Sequence, residues 1–487
     1  MVFLLVFVLG LLLPRNSINH KRYAMTSSRI NRRTALGSFA AAATATTVSA
    51  QARAETAPTG HLAPKPKVDG ELLVNRPRAT EVLERFGLAG MIALNPINVY
   101  YLTNITTIGV KFRSQYPGFA TYAADPQAPI YLVAGSSVAW DIANGDRETA
   151  ELMPYGFGGG GDVQRDSSGV PIDPGPGRTR KYNVRDDVEL TAREKRWAAA
   201  QDKVGRELAS SSAWALARAL KAQGITKGKV AVDDMRIAEF LSQTDLVDVE
   251  CVPGYGIFQL IRMVKTEQEL AYQRVGSGNN GDACLATIRA IQAGMTHDDI
   301  SQIFRNECAK RGNDVDSFIA GFPGGGFPDG VMVPGKPFLV DAVSNYRGYM
   351  GDIARTFILG DPSKEVETRR RANQLAREAV FDAIKPGVTY SRLRKIGFDT
   401  MVKNGMPDYA VFVTPHSVGL QHDDNPFRLS EFGVDSFDHV LEENMVLTVD
   451  LPYLEVGYGC GHNEDLFRVT KTGYEPMNTE EDPFIIL

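Results

Sequence analysis

Two aspartates stand eleven positions apart in the stretch Phe338–Phe357, FLVDAVSNYRGYMGDIARTF. An apolar run leads into Asp341, residues 345–348 predict a turn, and Asp352 lies on the returning strand. Two carboxylates buried on one hairpin repel each other, so the arrangement is favourable mainly when cations lie between them. The alternative is a pair of aspartates that flank the turn of a solvated hairpin. The first interpretation makes both residues candidate metal ligands.

Three further candidate ligands follow in the last third of the chain. His416 ends an apolar run in VFVTPHSVGLQH, Asp450 ends the buried-strand pattern MVLTVD, and Glu464 precedes another strand pattern in NEDLFRVT. With the two aspartates they supply five oxygen or nitrogen ligands, the number that a carboxylate-bridged pair of divalent ions needs. The sequence therefore predicts a site for two divalent metal ions.

In this order, the motifs DAVSNYRGYMGDIARTF, HSVGLQH, LEENMVLTVD and NEDLFRVT resemble the pita-bread (M24) metallopeptidase family. That family includes methionine aminopeptidase, Xaa-Pro aminopeptidase and prolidase, and the resemblance covers roughly residues 75–480. It implies two divalent ions (Mn, Co, Zn or Fe) and hydrolysis of a C–N bond in a short peptide or small amide, as in Xaa-Pro dipeptidases. The ligand arrangement that it implies is Asp341 on one ion, Asp352 and Glu464 bridging, and His416 with Asp450 on the other.

The resemblance also implies roles around these ligands. Asp450 would act both as a ligand and as the base that takes a proton from water. His422 could donate a hydrogen bond to the developing oxyanion or the leaving group, and its alternative is a solvent-facing loop histidine. Arg355, Tyr349 and His462 are expected beside the ligand carboxylates or the substrate.

Three departures from the family pattern weaken the peptidase assignment. Asp450 stands where the family usually has Glu, residues 319–333 contain no histidine where the peptidases have a substrate-binding one, and His462 replaces an arginine common in Xaa-Pro members. A second hypothesis is therefore a non-peptidase of the same fold, such as a dimethylsulfoniopropionate lyase-like or creatinase-like enzyme acting on a small molecule. A third, an inactive binding module, predicts lost ligands, and only one conservative change is present.

An internal repeat predicts how these ligands come together. Ala290–Gly312 matches Ala383–Gly405, and each copy reads as a helix end, a glycine turn, a threonine N-cap and a further helix. We therefore predict an α+β protein whose C-terminal pita-bread domain consists of two αβ halves related by a pseudo-two-fold axis. Since both halves supply ligands, the site is expected at their seam.

Length and composition predict two domains and exclude some partners. The chain has 487 residues, 43% apolar, with a net charge of −5, so no basic excess indicates nucleic acid. We predict a creatinase/prolidase-like α/β domain over 72–262, with a Gly/Pro-rich insertion at 156–190, and the pita-bread domain over 263–487. The four cysteines lack paired spacing and are expected to be small core residues. A small molecule or short peptide is the expected substrate, and a homodimer the expected assembly.

Individual elements of the first domain are also predicted. Residues 78–90 read as a helix and 91–94 as a strand, and Val99–Thr103 reads as a second strand after the Asn95-Pro96 turn. Thr266 is expected to cap a long helix that reaches Ile291.

The N-terminal residues resemble an export signal. Residues 1–54 would form a leader, with translation starting at Met25, because Arg32-Arg33, an alanine-rich run and an Ala-x-Ala sequence follow in the order of a twin-arginine signal. Residues 55–71 read as a linker. The apolar run Val2–Leu13 is too short for an ordinary membrane span. We expect a periplasmic or secreted protein without a stable membrane span after cleavage.

Overall fold

The computed structural model describes residues 72–106, 118–136, 149–156, 163–179, 181–206, 208–321, 332–406, 413–426, 438–455, 457–478 and 483–487. The predicted leader and linker, including the twin-arginine pair, lie outside these residues. No helix in the described part of the chain is long and apolar enough to cross a membrane.

The first part of the chain forms a six-stranded mixed sheet in the order β4-β3-β2-β1-β5-β6. Its strands are β1 (Gly90–Ala93), β2 (Phe119–Ala123), β3 (Tyr131–Gly135), β4 (Glu151–Tyr155), β5 (Lys227–Val232) and β6 (Asp248–Pro253). The described helices here are α1 (Arg76–Arg85), α2 (Pro96–Thr103), α3 (Ala192–Arg206), α4 (Ser212–Ala222), α5 (Arg236–Leu241) and α6 (Tyr255–Arg262). The sheet and helix α4 share an apolar core that includes Ile92, Phe119, Trp214 and Leu220.

The predicted strand Val99–Thr103 is wrong, because these residues belong to helix α2. The Asn95 side chain accepts a hydrogen bond from the Ile97 amide, and Pro96 occupies the first helical turn. Both are helix-start features, since Asn is a good N-cap and proline needs no amide partner there. The β-branched and aromatic composition that favoured a strand is overridden by the burial of this helix.

The second part of the chain forms a nine-stranded sheet whose central order is β14-β13-β11-β12-β9-β8-β7, with β10 on β11 and β15 on β9. Its strands are β7 (Asp314–Gly321), β8 (Pro337–Tyr346), β9 (Tyr349–Ile358), β10 (Thr414–Ser417), β11 (Val446–Glu455), β12 (Gly459–Asp465), β13 (Phe467–Val469), β14 (Tyr474–Pro476) and β15 (Phe484–Ile486). The helices are α7 (Glu267–Arg289), α8 (His297–Arg311), α9 (Lys364–Ala383) and α10 (Tyr390–Lys403).

The predicted repeat is confirmed in its backbone detail. Thr296 and Thr389 are the N-caps of α8 and α10, and both side chains accept a hydrogen bond from the amide three residues on. Gly294 and Gly387 precede them with φ of 87° and 88°, a conformation that favours glycine. The order helix, helix, strand, strand, strand runs through α7–α8–β7–β8–β9 and again through α9–α10–β10–β11–β12. The two αβ halves of the predicted pita-bread domain are thus present.

Two smaller predictions also hold. Thr266 caps α7 through a capping box with Glu269, whose side chain accepts from the Thr266 amide. Cys284, Cys308 and Cys460 are buried, and the four cysteines are free. The domain boundary at 262/263 and the extent of the 156–190 insertion stay predictions.

Candidate metal centre

Three adjacent strands bring the first acids into one row. In the β8–β9 ladder Asp341 lies opposite Ala354, and in the β9–β12 ladder Ala354 lies opposite Glu464. Asp352 stands two positions from Ala354 on β9, so its side chain points to the same face of the sheet. The small alanine in the middle of the row leaves space between the carboxylates. The hairpin interpretation of the sequence therefore holds, with both aspartates on one face.

The second half contributes His416 and Asp450 from neighbouring strands. His416 lies on β10, which pairs with β11, and its Nε2 atom lies 3.4 Å from Asp450 Oδ1 and 3.6 Å from Glu464 Oε1. Its other nitrogen, Nδ1, lies 3.1 Å from the main-chain oxygen of His422. A hydrogen bond from Nδ1 to that carbonyl leaves Nε2 as the free lone pair facing the acids, the tautomer that a metal ligand needs.

The repeat relates the ligands to one another. Met332 hydrogen-bonds to the Met295 carbonyl, and Leu441 makes the same bond to the Val388 carbonyl. Asp341 and Asp450 each follow nine positions after these anchors, in strands β8 and β11. The two aspartates are thus equivalent positions of the two halves, as are Asp352 on β9 and Glu464 on β12, the third strand of each half.

Ligand atoms of these residues converge in three overlapping groups. Within each group the atoms lie within 4.8 Å of one another. The groups are Asp352–His416–His422, Asp341–His462–Glu464 and His416–Asp450–Glu464. All five predicted ligands are included, and His422 and His462 join them.

No lysine or arginine of the described residues pairs with the four carboxylates. In the described parts of the chain, only histidines lie within ion-pair distance of them. Asp352 and Glu464 are buried, and among the described residues both oxygens of Asp352, one of Glu464 and one of Asp450 have no hydrogen-bond donor. Buried, unpaired carboxylates are unfavourable unless cations bind them. The donor set of oxygens and imidazoles fits divalent metal ions.

The electrostatics of the group follow from burial and mutual repulsion. Burial, then the neighbouring carboxylates, raise the pKa of Asp341 well above its usual value, and the same causes raise the pKa of Asp352 and of Glu464. Burial also opposes ionisation of Asp450, but in the metal-free protein the positive charge of the protonated His416 ring outweighs burial and lowers the pKa of Asp450. Asp450 is therefore the acid that stays ionised most readily.

Three other residues predicted for the site, His422, Arg355 and Tyr349, differ in their distance from the ligand carboxylates. His422 is half exposed, with Nε2 3.2 Å from Asp352 Oδ2, so it lies at the solvent side of the ligands. Arg355 is buried, pairs with Asp465 at 2.6 Å and donates to the Glu464 carbonyl, so it supports the backbone of a ligand and not its carboxylate. Tyr349 donates to Glu269 at 3.1 Å in the core.

Sequence reasoning missed a second buried polar cluster behind the His422 loop. Asp424 is buried, 2.5 Å from Arg262 and 3.6 Å from Lys265, both of them also buried. Arg262 also donates to Gln421 Oε1 and Asn98 Oδ1. The sequence signal was the pair of cations Arg262 and Lys265 among the apolar residues of LIRMVK, just before the long helix.

Comparison with known proteins shows what the chain is similar to in sequence and fold. Residues 277–471 match the model of metallopeptidase family M24. The probable dipeptidase PepE of Mycobacterium tuberculosis is 24% identical over 272 residues, 54% of this chain and 71% of that protein. The Xaa-Pro dipeptidase of Lactobacillus delbrueckii is 26% identical over 226 residues, 45% of this chain and 60% of that protein. A solved dipeptidase from Pyrococcus horikoshii superimposes with a TM-score of 0.62 at 17% identity, covering 85% of this chain and 99% of that one.

The fold and the donor set define a metallohydrolase. Its C-terminal half carries a pita-bread domain whose fold is similar to that of Xaa-Pro dipeptidases, and residues 277–471 of this half match the M24 model. The chain is therefore an enzyme of this class, with a fold shared by prolidases and aminopeptidase P.

Proposed function

We propose that the chain is a two-metal hydrolase of a C–N bond that acts on Xaa-Pro dipeptides or closely related short peptides. The observation that carries the proposal is the set of overlapping ligand groups, which share His416 and Glu464 and which no lysine or arginine of the described residues neutralises. Asp341, Asp352 and Asp450 complete the two positions. The similarity to Xaa-Pro dipeptidases favours the peptide substrate.

The exposure of each acid indicates its role, because buried acids can only bind the ions whereas a partly exposed acid can also reach the substrate. Bound divalent ions supply Lewis-acid activation of a water molecule and of a substrate carbonyl. Asp352 and Glu464 have almost no exposed side-chain surface and hold the cations, whereas the Asp450 side chain is 23% exposed and can exchange protons with substrate. Asp450 accepts the proton of the attacking water and returns it to the leaving amine. His422 lies at the opening, where it can donate a hydrogen bond to the substrate.

A second candidate is a non-peptidase of the same fold acting on a small molecule, either lyase-like or creatinase-like. The supporting observation is Gly321, which pairs with Leu339 as His416 pairs with Thr448. Both partners stand two positions before an aspartate of the repeat, so the first half has glycine where the second has its histidine. A site without that imidazole has lost a polar contact for a peptide.

Metal analysis combined with a substrate panel tests these candidates. Purified protein should retain about two equivalents of divalent metal. Proline dipeptides, small amides and sulfonium acids should then be assayed with Mn²⁺, Co²⁺, Zn²⁺ or Fe²⁺. Release of free proline supports the peptidase. Turnover confined to the small amides or sulfonium acids supports the second candidate. A protein that binds no metal contradicts the two-metal hydrolase and leaves only the creatinase-like form of the second candidate.

The assembly and location are further parts of this proposal. The similarity to prolidases favours a homodimer, which light scattering measures directly. The twin-arginine pattern favours export, so replacing Arg32 and Arg33 with Lys should leave the precursor in the cytoplasm. Normal export of that variant would instead make Val2–Leu13 the signal.

A further inference from the structure

His462 occupies a position that the strand pairing holds firmly. It stands two residues before Glu464 on β12, so both side chains point to the face that carries the acids. Two hydrogen bonds join its main chain to Thr356 of β9. The His462 amide donates to Thr356 Oγ1 at 2.9 Å, and the Thr356 hydroxyl donates to the His462 carbonyl at 3.2 Å. The imidazole therefore projects from a rigid element into the cluster.

The ring lies among acids and has an unpaired nitrogen. His462 Nδ1 is 3.8 Å from Asp341 Oδ2, and Nε2 is 3.6 Å from Glu464 Oε2. The side chain is only 8% exposed, and Nε2 has no hydrogen-bond partner among the residues that the structure describes. A buried ring nitrogen without a partner is unfavourable in a structural histidine. These distances are too long for direct hydrogen bonds, and they leave room for a cation between the imidazole and the two acids.

The two ligand groups that share Glu464 have the same composition. One consists of Asp341, His462 and Glu464, and the other of Asp450, His416 and Glu464. Each contains one aspartate from equivalent strands of the two halves, one buried histidine and the shared glutamate. In the first half, Gly321 occupies the position equivalent to His416, so this half has no imidazole of its own there. The imidazole of this group comes instead from β12 of the second half.

We propose that His462 is a direct ligand of the metal ion held by Asp341, so that each of the two ions has one imidazole. This inference rests on the proposed two-metal function and extends it to a ligand that the Xaa-Pro pattern, with arginine at this position, does not contain. An added nitrogen donor favours ions that accept imidazole, such as Zn²⁺, Co²⁺ and Fe²⁺, over Mn²⁺ at the first position. An arginine there would repel the cation instead.

The test is titration of the metal-free full-length protein with Co²⁺, and calorimetry measures the number of bound ions and their affinities. Visible absorption and proton NMR spectra of the cobalt form then report on the ligands. The unaltered protein should bind two Co²⁺ ions and show shifted imidazole N–H signals from at least two histidines. His462→Ala should weaken one ion at least about tenfold and remove one N–H signal. His462→Gln provides a second variant of similar size should the alanine variant not fold, and the same losses are expected.

Two further variants sharpen the result. His462→Arg, which restores the residue common in Xaa-Pro members, should weaken the same ion more than His462→Gln does. His439→Gln changes another buried histidine, one outside the ligand groups, and should leave both ions and the signals unchanged.

The outcomes separate the two proposals. If His462→Ala and His462→Gln bind both ions with unchanged affinity and keep every imidazole signal, His462 is not a ligand while the two-metal function stands. If the unaltered protein binds no Co²⁺, the proposed function itself fails, and this inference with it.

Discussion

The loop that carries His422 contacts two clusters of charged side chains, the candidate metal centre and the Arg262 cluster of Asp424, Arg262 and Lys265. The negative charge is compensated differently in the two clusters. In the candidate metal centre, four carboxylates face only histidines among the described residues. Behind the loop, Asp424 contacts two buried cations, Arg262 and Lys265. The carboxylates of Asp352, Glu464 and Asp424 are buried alike, so burial of these acids does not distinguish the two clusters.

The difference is the source of the positive charge. The Arg262 cluster supplies it from the protein, which makes a closed structural unit that joins α6 to the His422 loop. The acidic cluster has only histidines and no lysine or arginine among the described residues, and burial raises the pKa of Asp341, Asp352 and Glu464. A buried carboxylate next to arginine therefore indicates a structural role, whereas buried carboxylates without one indicate a site for external cations. Four predictions test this distinction.

The largest effect is expected from Asp352→Ala. Removing this carboxylate should leave at most one weakly held ion and almost no turnover. The stability of the metal-free protein should fall little, because the substitution relieves repulsion among buried acids. Metal analysis, activity and urea unfolding measure the three effects, with exposed Asp314→Ala as control. Two tightly bound equivalents and full activity in Asp352→Ala would contradict the site.

The next effect concerns the base. Asp450→Asn keeps the shape but removes the charge and the proton acceptor, so turnover should fall by about 10²–10⁴-fold. Asp450→Glu restores the residue usual in the family and should bind metal at least as well as the unaltered protein. Steady-state kinetics on the best substrate compares the two variants. Full activity of Asp450→Asn would leave Asp450 a structural acid and shift the proton transfer to another group such as His422.

A substitution in the Arg262 cluster should lower the stability of the protein and leave its metal content unchanged. Arg262→Met leaves buried Asp424 without its closest cation and should cost about 3–5 kcal/mol of unfolding free energy. The exposed pair of Arg236 with Asp234 is a matched control, and Arg236→Met should cost far less, because solvent screens an exposed pair. Urea unfolding of the metal-free variants measures both. Equal losses in the two variants would show that burial adds nothing to the Arg262 pair.

The smallest effect is pH-dependent and concerns Glu269, which lies next to the Arg262 cluster. Burial raises the pKa of Glu269 from 4.5 to about 7, although Lys265 lowers it. The folded state therefore holds this proton more tightly than the unfolded state, and the contribution of Glu269 to stability falls as pH rises from about 4.5 to about 7.

Glu269→Gln removes this titration. Between pH 5 and pH 8 the unaltered protein should lose stability relative to Glu269→Gln by on the order of 2–3 kcal/mol. Urea unfolding at both pH values measures the difference. A stability difference that is the same at pH 5 and pH 8 would show that Glu269 has an ordinary pKa in the folded protein.

The sequence by itself determined the repeat, the hairpin with Asp341 and Asp352, and the capping of the long helix by Thr266. These features are local: threonine caps, glycine turns and apolar strand runs have the same physical requirements in any fold. Their order also carried the family resemblance, and with it the expected ligands.

Only the tertiary structure decided what surrounds those ligands. It turned residues 99–103 into a buried helix, directed Arg355 toward Asp465, and brought His462 beside Asp341, 121 positions earlier in the chain. It also assembled Arg262 with Asp424 across 162 positions. Such pairings depend on which strands become neighbours, and the packing of distant segments decides that, so no local pattern predicts which charges are compensated.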